Sequence, residues 1–331
     1  MVNETIPSHT PDLVLSGQHA VLSQLEDTVA SLMQRHKRKR RLWYPAELVP
    51  AHQKMTDDQL RTLHHLPDRA AALPDAVRVS LALNLLTEEG LPHFHRLISI
   101  YLGPDSIWSQ WNAMWTAEED RHGNVIHDYV RTARLYDAVE LDKMQYLYIE
   151  AGFNPDWENN PYRLLAYTSI QERATQIAHA NTGRIAGHYE PLIQTILDKV
   201  SSDEARHYAF YRGVFQAIIK ADPDRALEAA LSVISAFNMP GHTIPGYDDM
   251  AAVVYRSGIY GPREYKAIIE ELLDFWGIAT LTGLSSHGRK AQDSLMRYPD
   301  RLERVSRYME RRTRTKTYTF PFIYNRAIRP D

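Results

Sequence analysis

The sequence predicts an all-α protein built around a bundle of four long helices. Apolar residues recur at helical spacing over long stretches, and runs of β-branched residues are few. Glycine is sparse, with 15 among 331 residues, and the 18 prolines mark the breaks between the apolar stretches instead. No apolar run approaches the roughly 18–20 residues that cross a bilayer, so we expect no membrane insertion.

Nine helices are expected in chain order, and four of them are long and amphipathic, as the helices of a bundle core are. Prolines give most of the boundaries, because proline rarely continues a helix. The long helices lie near 76–101, 106–135, 161–186 and 188–219, and the shorter ones lie near 18–38, 139–151, 223–236, 263–277 and 299–313. The tail TYTFPFIYNR at 317–326 is β-prone and can close as a short C-terminal β-hairpin. We expect residues 1–331 to form a single domain whose first 17 residues are a flexible segment.

Composition limits the chemistry that this chain can perform. A net charge of −3 and a pI near 6.6 argue against a nucleic-acid binder held by overall charge. The absence of cysteine excludes disulfides, thiolate nucleophiles, zinc fingers and iron–sulfur clusters. Any metal would therefore be held by Glu, Asp and His, which suit iron or manganese. The N-terminal residues resemble neither a signal peptide nor a transit peptide, and we expect a cytoplasmic location.

The motif Glu-x-x-His occurs twice, in TAEEDRH at 116–122 and in SSDEARH at 201–207. Residues three apart on a helix project from one face, so Glu119 and His122 can bind one ion. Glu204 and His207 can do the same. A single copy is more often a solvated pair on a helix surface, but two copies on two long helices favour a metal site.

Two other long helices offer the carboxylates that a second ion would need. LLTEEGLPHF contains Glu88 and Glu89, between which the spacing alone does not decide, and TSIQERATQIAH contains Glu172 in a stretch that should face the core. A carboxylate buried there would be costly without a partner, and a metal ion is the natural one. Two Glu-x-x-His helices with two helices that each contribute one Glu form the ligand set of a ferritin-like di-iron bundle. The sequence therefore predicts two iron ions per chain.

These segments resemble the soluble acyl-acyl carrier protein desaturases, and the resemblance extends over nearly the whole chain. It is carried by LTEEGLPHF, WTAEEDRHGNVIHDYV, YTSIQERATQIAHANTGR, DEARHYAFY, FNMPGH, GLSSHGRKAQD and FPFIYNR, and it is closest to the plant branch. The resemblance implies six iron ligands, of which Glu119 and Glu204 bridge the two ions, and it favours Glu88 over Glu89. The implied ligands are Glu88, Glu119, His122, Glu172, Glu204 and His207.

The same resemblance implies roles for three more residues. Thr175 would lie beside the oxygen-binding side of the cluster, although a threonine inside a helix can equally bond its own backbone. Asp203 would orient the ligand His122. Trp43 would reach Asp203 from the surface and give electrons a path to the cluster, although it can also be an ordinary packed aromatic residue.

The activity implied is the O₂-dependent introduction of a cis double bond into a saturated acyl chain on acyl carrier protein. Such a chain has no acidic proton and no leaving group, so acid–base or nucleophilic chemistry cannot begin the reaction. Two electrons must come from a partner, by resemblance a ferredoxin, because the chain has no flavin or nicotinamide motif. A homodimer is also implied. The alternatives are a di-iron oxygenase that hydroxylates a carrier-bound acyl or aminoacyl group, and a ferritin-like protein that stores iron.

Two sets of residues are expected to meet the substrate. The basic run RHKRKRR at 35–41 suits an acidic carrier protein, and further positive charge follows at 311–316; these docking candidates are Lys37, Arg38, Lys39, Arg40 and Arg41, with Arg311, Arg312, Arg314 and Lys316 as a second part. By helical spacing, an apolar channel should be lined by Leu97, Ile100, Tyr101, Leu164, Leu165 and Thr168. Several of these are bulkier than the residues at the corresponding positions of the family, so we expect a pocket shorter than that of a stearoyl enzyme.

Overall fold

The computed structural model describes residues 17–50, 55–103, 106–311 and 316–330, and for 309–311 it describes the backbone only. Within these residues the protein is all-α, as predicted, with fifteen α-helices and three short 3₁₀ turns. The helices are α1 (Gly17–Gln24), α2 (Glu26–Lys39), α3 (Pro45–Leu48), α4 (Asp57–His64), α5 (Leu66–Ala70), α6 (Asp75–Glu89), α7 (Leu91–Leu102), α8 (Ile107–Thr132), α9 (Ala138–Ala151), α10 (Pro161–Ala186), α11 (Pro191–Ala221), α12 (Pro223–Ser235), α13 (Tyr247–Arg256), α14 (Pro262–Phe275) and α15 (Ser286–Arg311). Apart from Gly17, the N-terminal segment expected to be flexible lies outside the described residues.

Helices α6, α8, α10 and α11 form the predicted bundle. Helix α10 packs along α11, α8 packs against α6 and α11, and α6 also packs against α10. The bundle thus has one side formed by α6 and α10 and an opposite side formed by α8 and α11. Helix α13 covers α6 on the first side, and α2 lies across α8 and α11 on the second.

The starts of the long bundle helices are encoded locally. The side chains of Ser106, Asn160 and Glu190 accept hydrogen bonds from backbone N–H groups in the first turns of α8, α10 and α11. Pro161 and Pro191 occupy the first positions of α10 and α11, where a missing N–H costs nothing. These signals explain why the predicted boundaries of α8 and α10 lie close to the observed ones.

The helix predicted over 76–101 is interrupted at Gly90, where α6 ends and α7 begins. In a continuous helix, Pro92 could not donate to the carbonyl of Glu88 and its ring would clash with that carbonyl. Gly90 also passes so close to the Tyr148 hydroxyl that an added Cβ would collide with it. The break places Glu88 in the last turn of α6, and α7 packs against α8 beyond it.

Other boundaries differ from the prediction for similar local reasons. The helix predicted at 18–38 is two helices that meet at Leu25, and α3, α4, α5 and α13 were not predicted. Helix α15 begins at Ser286 and continues through Pro299, which the sequence analysis took as its start. Its apolar face packs on α12 and α14, and this packing outweighs the hydrogen bond lost at the proline.

The predicted C-terminal hairpin is reduced to one antiparallel bridge within the described residues. Tyr318 and Ile328 exchange two backbone hydrogen bonds, of 2.9 and 2.8 Å, on either side of a 3₁₀ turn at Pro321–Ile323. Among the helices described, none is by itself long and apolar enough to span a bilayer, and the one consecutive pair that meets the length and composition together, Asp57–Ala70 with Asp75–Glu89, is bent by 115°.

Candidate di-metal centre

The two Glu-x-x-His pairs face each other at the centre of the bundle, and two more carboxylates close the site from the opposite side. Helix α8 contributes the first pair and α11 the second, while α6 and α10 each contribute one glutamate. All six side chains are buried. Their ligand atoms form two groups, each within 4.8 Å, and the groups are Glu88, Glu119, His122 and Glu204, and Glu119, Glu172, Glu204 and His207. Glu119 and Glu204 belong to both groups.

Each imidazole directs its Nδ1 atom at three carboxylate oxygens. From His122 Nδ1 the distances are 3.3 Å to Glu119, 3.3 Å to Glu204 and 3.6 Å to Glu88. From His207 Nδ1 they are 2.7 Å to Glu119, 3.5 Å to Glu172 and 3.8 Å to Glu204. The structure thus brings together the six residues that the sequence analysis singles out, in two nearly equivalent halves.

Several of the convergent atoms lack a hydrogen-bond partner although they are buried. They are Nδ1 of both histidines and one oxygen each of Glu119, Glu172 and Glu204. Buried polar atoms are almost always satisfied in native proteins, so a cluster of orphans points to a bound ion. Four carboxylates and two imidazoles, without sulfur, fit two hard or borderline divalent cations such as iron or manganese.

The electrostatics of the site also favour cations. Burial, and then the charge of Glu204, raise the pKa of Glu172 well above its ordinary value. Burial acts in the same direction on Glu204, but the neighbouring imidazoles of His122 and His207 hold its pKa well below that value. Although burial lowers the pKa of both histidines, the carboxylates, with Glu119 first among them, raise it well above its ordinary value. The site therefore gathers positive charge, which two metal ions would supply in place of protons.

The far nitrogen of each imidazole is held by a buried carboxylate. His122 Nε2 lies 3.3 Å from Asp203 Oδ2, and His207 Nε2 lies 3.1 Å from Glu118 Oε2. Asp203 is the residue expected beside His122, whereas Glu118 is not predicted from the sequence. A signal for it was present, because in both motifs an acidic residue directly precedes the glutamate.

Trp43 lies in the segment between α2 and α3 and contacts one of these supporting carboxylates, Asp203. Its Nε1–H donates to Asp203 Oδ2 at 2.9 Å, and its ring lies nearly parallel to that of His122, with centroids 6.2 Å apart. Arg121 stacks on the indole and also donates to Asp203. Trp43 itself is buried, whereas its neighbours Leu42 and Tyr44 are exposed. The chain Trp43–Asp203–His122 thus connects an exposed segment to a ligand position.

Thr175, the remaining residue expected at the centre, bonds the backbone of its own helix and also borders the ligand cluster. Its hydroxyl donates to the carbonyls of Gln171 and Glu172, both at 3.2 Å. Thr175 also lines a cavity beside Glu88, so its side chain borders the space next to the ligand cluster.

Two adjoining cavities lead from the α13 side toward the centre. The inner one, of about 60 Å³, lies between α6, α10 and α13 and touches Glu88, Thr175 and His179. The outer one, of about 450 Å³, extends along α13 to the start of α14 and to Tyr308. Both are lined by Met239, Tyr247, Ala251 and Tyr260. These four side chains form a partition between the outer cavity and the inner cavity beside the ligand cluster.

Five of the six expected channel residues are buried in the bundle, namely Leu97, Tyr101, Leu164, Leu165 and Thr168. The expectation for Ile100 is wrong, because this side chain is 54% exposed. The inward face of α7 is formed by Leu97, Ile98, Tyr101 and Leu102, and Ile100 projects from the other face. Tyr101 packs edge-on against the ring of Trp157.

The basic run lies at the end of α2, on the α8 and α11 side of the bundle. Lys37, Arg38, Lys39 and Arg41 are exposed. Arg40 is partly withdrawn from the surface, because its guanidinium donates to buried Glu118 at 3.2 Å. In the second expected basic group, Lys316 pairs with Asp249 of α13 at 2.5 Å. Arg312, Arg314 and the side chain of Arg311 lie outside the described residues.

Comparison with known proteins identifies similar chains. The profile of the fatty acid desaturase family matches residues 17–324. The chain is 33% identical over 305 residues to the chloroplastic stearoyl-[acyl-carrier-protein] 9-desaturase of Gossypium hirsutum, covering 87% of this chain and 76% of that protein. It is 32% identical over 283 residues to DesA1 of Mycobacterium tuberculosis, named as an acyl-[acyl-carrier-protein] desaturase, covering 83% of each.

A solved structure supports the fold independently of close sequence similarity. The X-ray structure of DesA2 from Mycobacterium tuberculosis H37Rv superposes with a TM-score of 0.60 at 20% identity. The match covers 79% of this chain and 96% of that one.

Proposed function

The chain belongs to the fatty acid desaturase family, among the acyl-acyl carrier protein desaturases, and we propose that it introduces a cis double bond into a saturated acyl chain carried on acyl carrier protein, using O₂ and two iron ions. The observation that carries the proposal is the convergence of four buried carboxylates and two imidazoles into two groups that share Glu119 and Glu204. A carrier-bound alkyl chain offers no group that a side chain alone could activate, so the oxidising power must come from a metal centre.

We propose that Glu88 and His122 hold one iron ion, that Glu172 and His207 hold the other, and that Glu119 and Glu204 bridge them. When bound, the iron pair supplies the activation of O₂ that removal of hydrogen from an alkyl chain requires. The protein's own residues keep the ligands in place and the site dry. Asp203 and Glu118 orient the two imidazoles, and the apolar cluster around α7, α10 and α11 excludes water.

The acyl chain would enter from the α13 side. The outer cavity opens there, and the partition of Met239, Tyr247 and Tyr260 separates it from the space beside Glu88 and Thr175. Beyond the cluster, the chain would displace or pass between the buried side chains of α7 and α10, such as Leu97 and Leu164. We propose that the pocket ends at Tyr101 and Trp157, whose rings pack edge to face, and that it is shorter than a pocket for an 18-carbon chain.

Electrons would enter from the opposite side. We propose a ferredoxin as donor and the chain Trp43–Asp203–His122 as the path. The exposed residues at 37–41 flank this path. The sequence analysis assigns that basic surface to acyl carrier protein, but a carrier docked there would face the side of the bundle remote from the cavities. Its position therefore favours the electron donor, which is also an acidic protein, and the two assignments are separable by kinetics.

We also propose that the chain acts as a homodimer. Helix α9 exposes Val139, Tyr146 and Leu147, each about half or more accessible, along one side. Such an apolar strip is typical of a surface that another chain covers.

Mass spectrometry of the products tests the proposed activity. The iron-loaded protein would be incubated with a panel of acyl carrier proteins bearing different chains, with reduced ferredoxin and O₂, and a His207→Ala variant would serve as the control. Loss of two hydrogens from a chain supports desaturation. Gain of one oxygen atom would instead assign the protein to the alternative, a di-iron oxygenase. No change in any chain, by protein that holds two iron ions, would overturn both.

A further inference from the structure

The two terminal carboxylates of the cluster are held in the same way by different donors. Glu172 accepts a hydrogen bond at Oε1 from the indole of Trp115 at 3.0 Å, and its Oε2 faces His207. Glu88 accepts one at Oε1 from His179 Nε2 at 2.8 Å, and its Oε2 faces His122. In each glutamate one oxygen is thus fixed by an N–H group while the other is directed at the ion position.

The two glutamates differ in what else restrains them. Glu172 is fully buried in the middle of α10, and Trp115 lies in the apolar core. Glu88 lies in the last turn of α6 and borders the inner cavity together with His179. Glu172 is therefore confined between the apolar core and the other ligand side chains, whereas Glu88 borders open space into which its carboxylate can swing. The hydrogen bond from His179 is the contact that opposes this movement.

Asn84, one turn before Glu88 on α6, is the partner of the second nitrogen of His179. A carboxylate oxygen can only accept, so His179 Nε2 must be the donor toward Glu88. The Nδ1 atom of a neutral imidazole is then an acceptor, and the side-chain amide of Asn84 lies 3.2 Å from it. The trio Asn84–His179–Glu88 is buried, since none of its members is more than 8% exposed.

We propose that His179 is a positioning residue that holds Glu88 in its metal-binding orientation, and that Asn84 keeps His179 in the tautomer required. The inference rests on the proposed metal centre and extends it to two residues outside the ligand set. Removing the donor leaves all six ligand residues present but frees the Glu88 carboxylate to turn into the cavity. The ion held by Glu88 and His122 then loses a ligand, while the ion held by Glu172 and His207 keeps all of its own.

Titration of the metal-free protein with Co²⁺ tests this, because the visible absorption of Co²⁺ reports both binding and coordination. We expect the wild type to bind two ions. His179→Leu, which removes the donor, should bind one ion normally and the other about 10- to 100-fold more weakly, with a changed absorption band for that ion. His179→Gln, which retains an N–H donor, should restore most of the affinity and the band.

Controls separate this positioning role from general damage to the cavity. Ser80→Ala alters another polar residue of the same cavity wall, whose hydroxyl bonds Thr182 and not Glu88, and it should bind two Co²⁺ ions as the wild type does. Asn84→Leu leaves His179 in place without its partner and should weaken the same ion by a smaller factor. This variant carries the test if His179→Leu does not fold.

The outcomes distinguish failure of the positioning role of His179 from failure of the metal centre. Wild-type affinities and spectra in both His179→Leu and Asn84→Leu would overturn the role of His179 while leaving the metal centre intact. Equal weakening of both ions would also overturn it, since a positioning role acts on one ion alone. A wild-type protein that binds fewer than two Co²⁺ ions would instead overturn the proposed centre itself.

Discussion

Glu118, the residue before the glutamate of the first motif, lies 3.1 Å from the far nitrogen of His207, the histidine of the second motif. The relationship is reciprocal, because Asp203 of the second motif holds His122 of the first. Each Glu-x-x-His helix therefore supplies two metal ligands, and it also supplies the carboxylate that holds the histidine of the other helix. A buried carboxylate beside a metal-bound imidazole fixes the orientation of the ring and raises its basicity.

This exchange predicts that substituting the supporting carboxylate of one motif weakens the ion bound by the histidine of the other motif. Asp203→Ala should weaken the ion held by His122, and Glu118→Ala the ion held by His207, each by about 10- to 100-fold. The two effects can be resolved in a Glu172→Ala background, which should retain the His122 ion alone. There, Asp203→Ala should remove most of the remaining iron, and Glu118→Ala should leave it bound. The reverse pattern would show that the supports are not exchanged.

Much of this arrangement could be predicted from one sequence, but in an uneven way. The ligand pairs were accessible because residues three apart share a helix face, and Glu172 because a charge in an apolar stretch requires a partner. Glu118 and its neighbour Glu119 both contact His207 of α11, Glu118 at Nε2 and Glu119 at Nδ1, and spacing alone does not predict this division. His179 is 91 positions from Glu88, and their contact depends on how α6 and α10 are aligned. The break at Gly90 was missed because the residues on both sides of it keep helical periodicity.

Loss of a terminal ligand should cost one ion and no more. Glu172→Ala or His207→Ala is expected to reduce iron from two ions to one per chain, because each residue belongs to only one of the two groups that the six proposed ligands form. Glu119→Ala should affect both ions, because Glu119 belongs to both groups. Iron content measured by atomic absorption on protein of verified helical content would check this. Two ions retained in both Glu172→Ala and His207→Ala would refute the ligand assignment.

Trp43→Phe should separate stability from electron delivery. The substitution retains an aromatic ring over His122 but removes the hydrogen bond to Asp203, so the free energy of unfolding should fall by about 1.5–3 kcal/mol. Iron content should be unchanged, and reduction of the iron by ferredoxin in stopped flow should slow.

Trp276→Phe is the matched control for this change. The Trp276 indole is also buried and donates to a backbone carbonyl, that of Arg212. The Trp276→Phe variant should lose a similar free energy of unfolding, but ferredoxin should reduce its iron at the wild-type rate. Equal reduction rates in the two variants and the wild type would mean that Trp43 is only a packed aromatic residue.

Charge reversal at the end of α2 should reveal which acidic partner docks there. We suggest the combined variant Lys37→Glu, Lys39→Glu and Arg41→Glu, which spares Arg40 because that side chain bonds Glu118. The apparent KM for ferredoxin should rise about tenfold at low ionic strength, and the difference should shrink as salt is added.

The KM for the acyl carrier protein is the comparison that decides between the partners. It should remain unchanged in this variant but rise in Arg256→Glu, which alters the wall of the outer cavity. If the KM for the acyl carrier protein alone rises in the α2 variant, the basic surface binds the carrier protein, as predicted from the sequence.

The aromatic closure at Tyr101 should set the length of chain that the enzyme accepts. Tyr101 and Trp157 meet edge to face, with ring centroids 6.2 Å apart, and Leu164 and Leu165 are fully buried nearby on α10. The wild type should therefore desaturate a 16-carbon or shorter chain faster than an 18-carbon one, and Tyr101→Ala should shift the preference toward the longer chain.

The Tyr101→Ala variant also creates a cavity, for which we expect a loss of about 3–5 kcal/mol in the free energy of unfolding, as for other large aromatic truncations. Relative kcat/KM values from competing acyl carrier proteins would measure the preference independently of how much protein is folded. Equal rates with 16- and 18-carbon chains in the wild type would show that the channel does not end at this pair of rings.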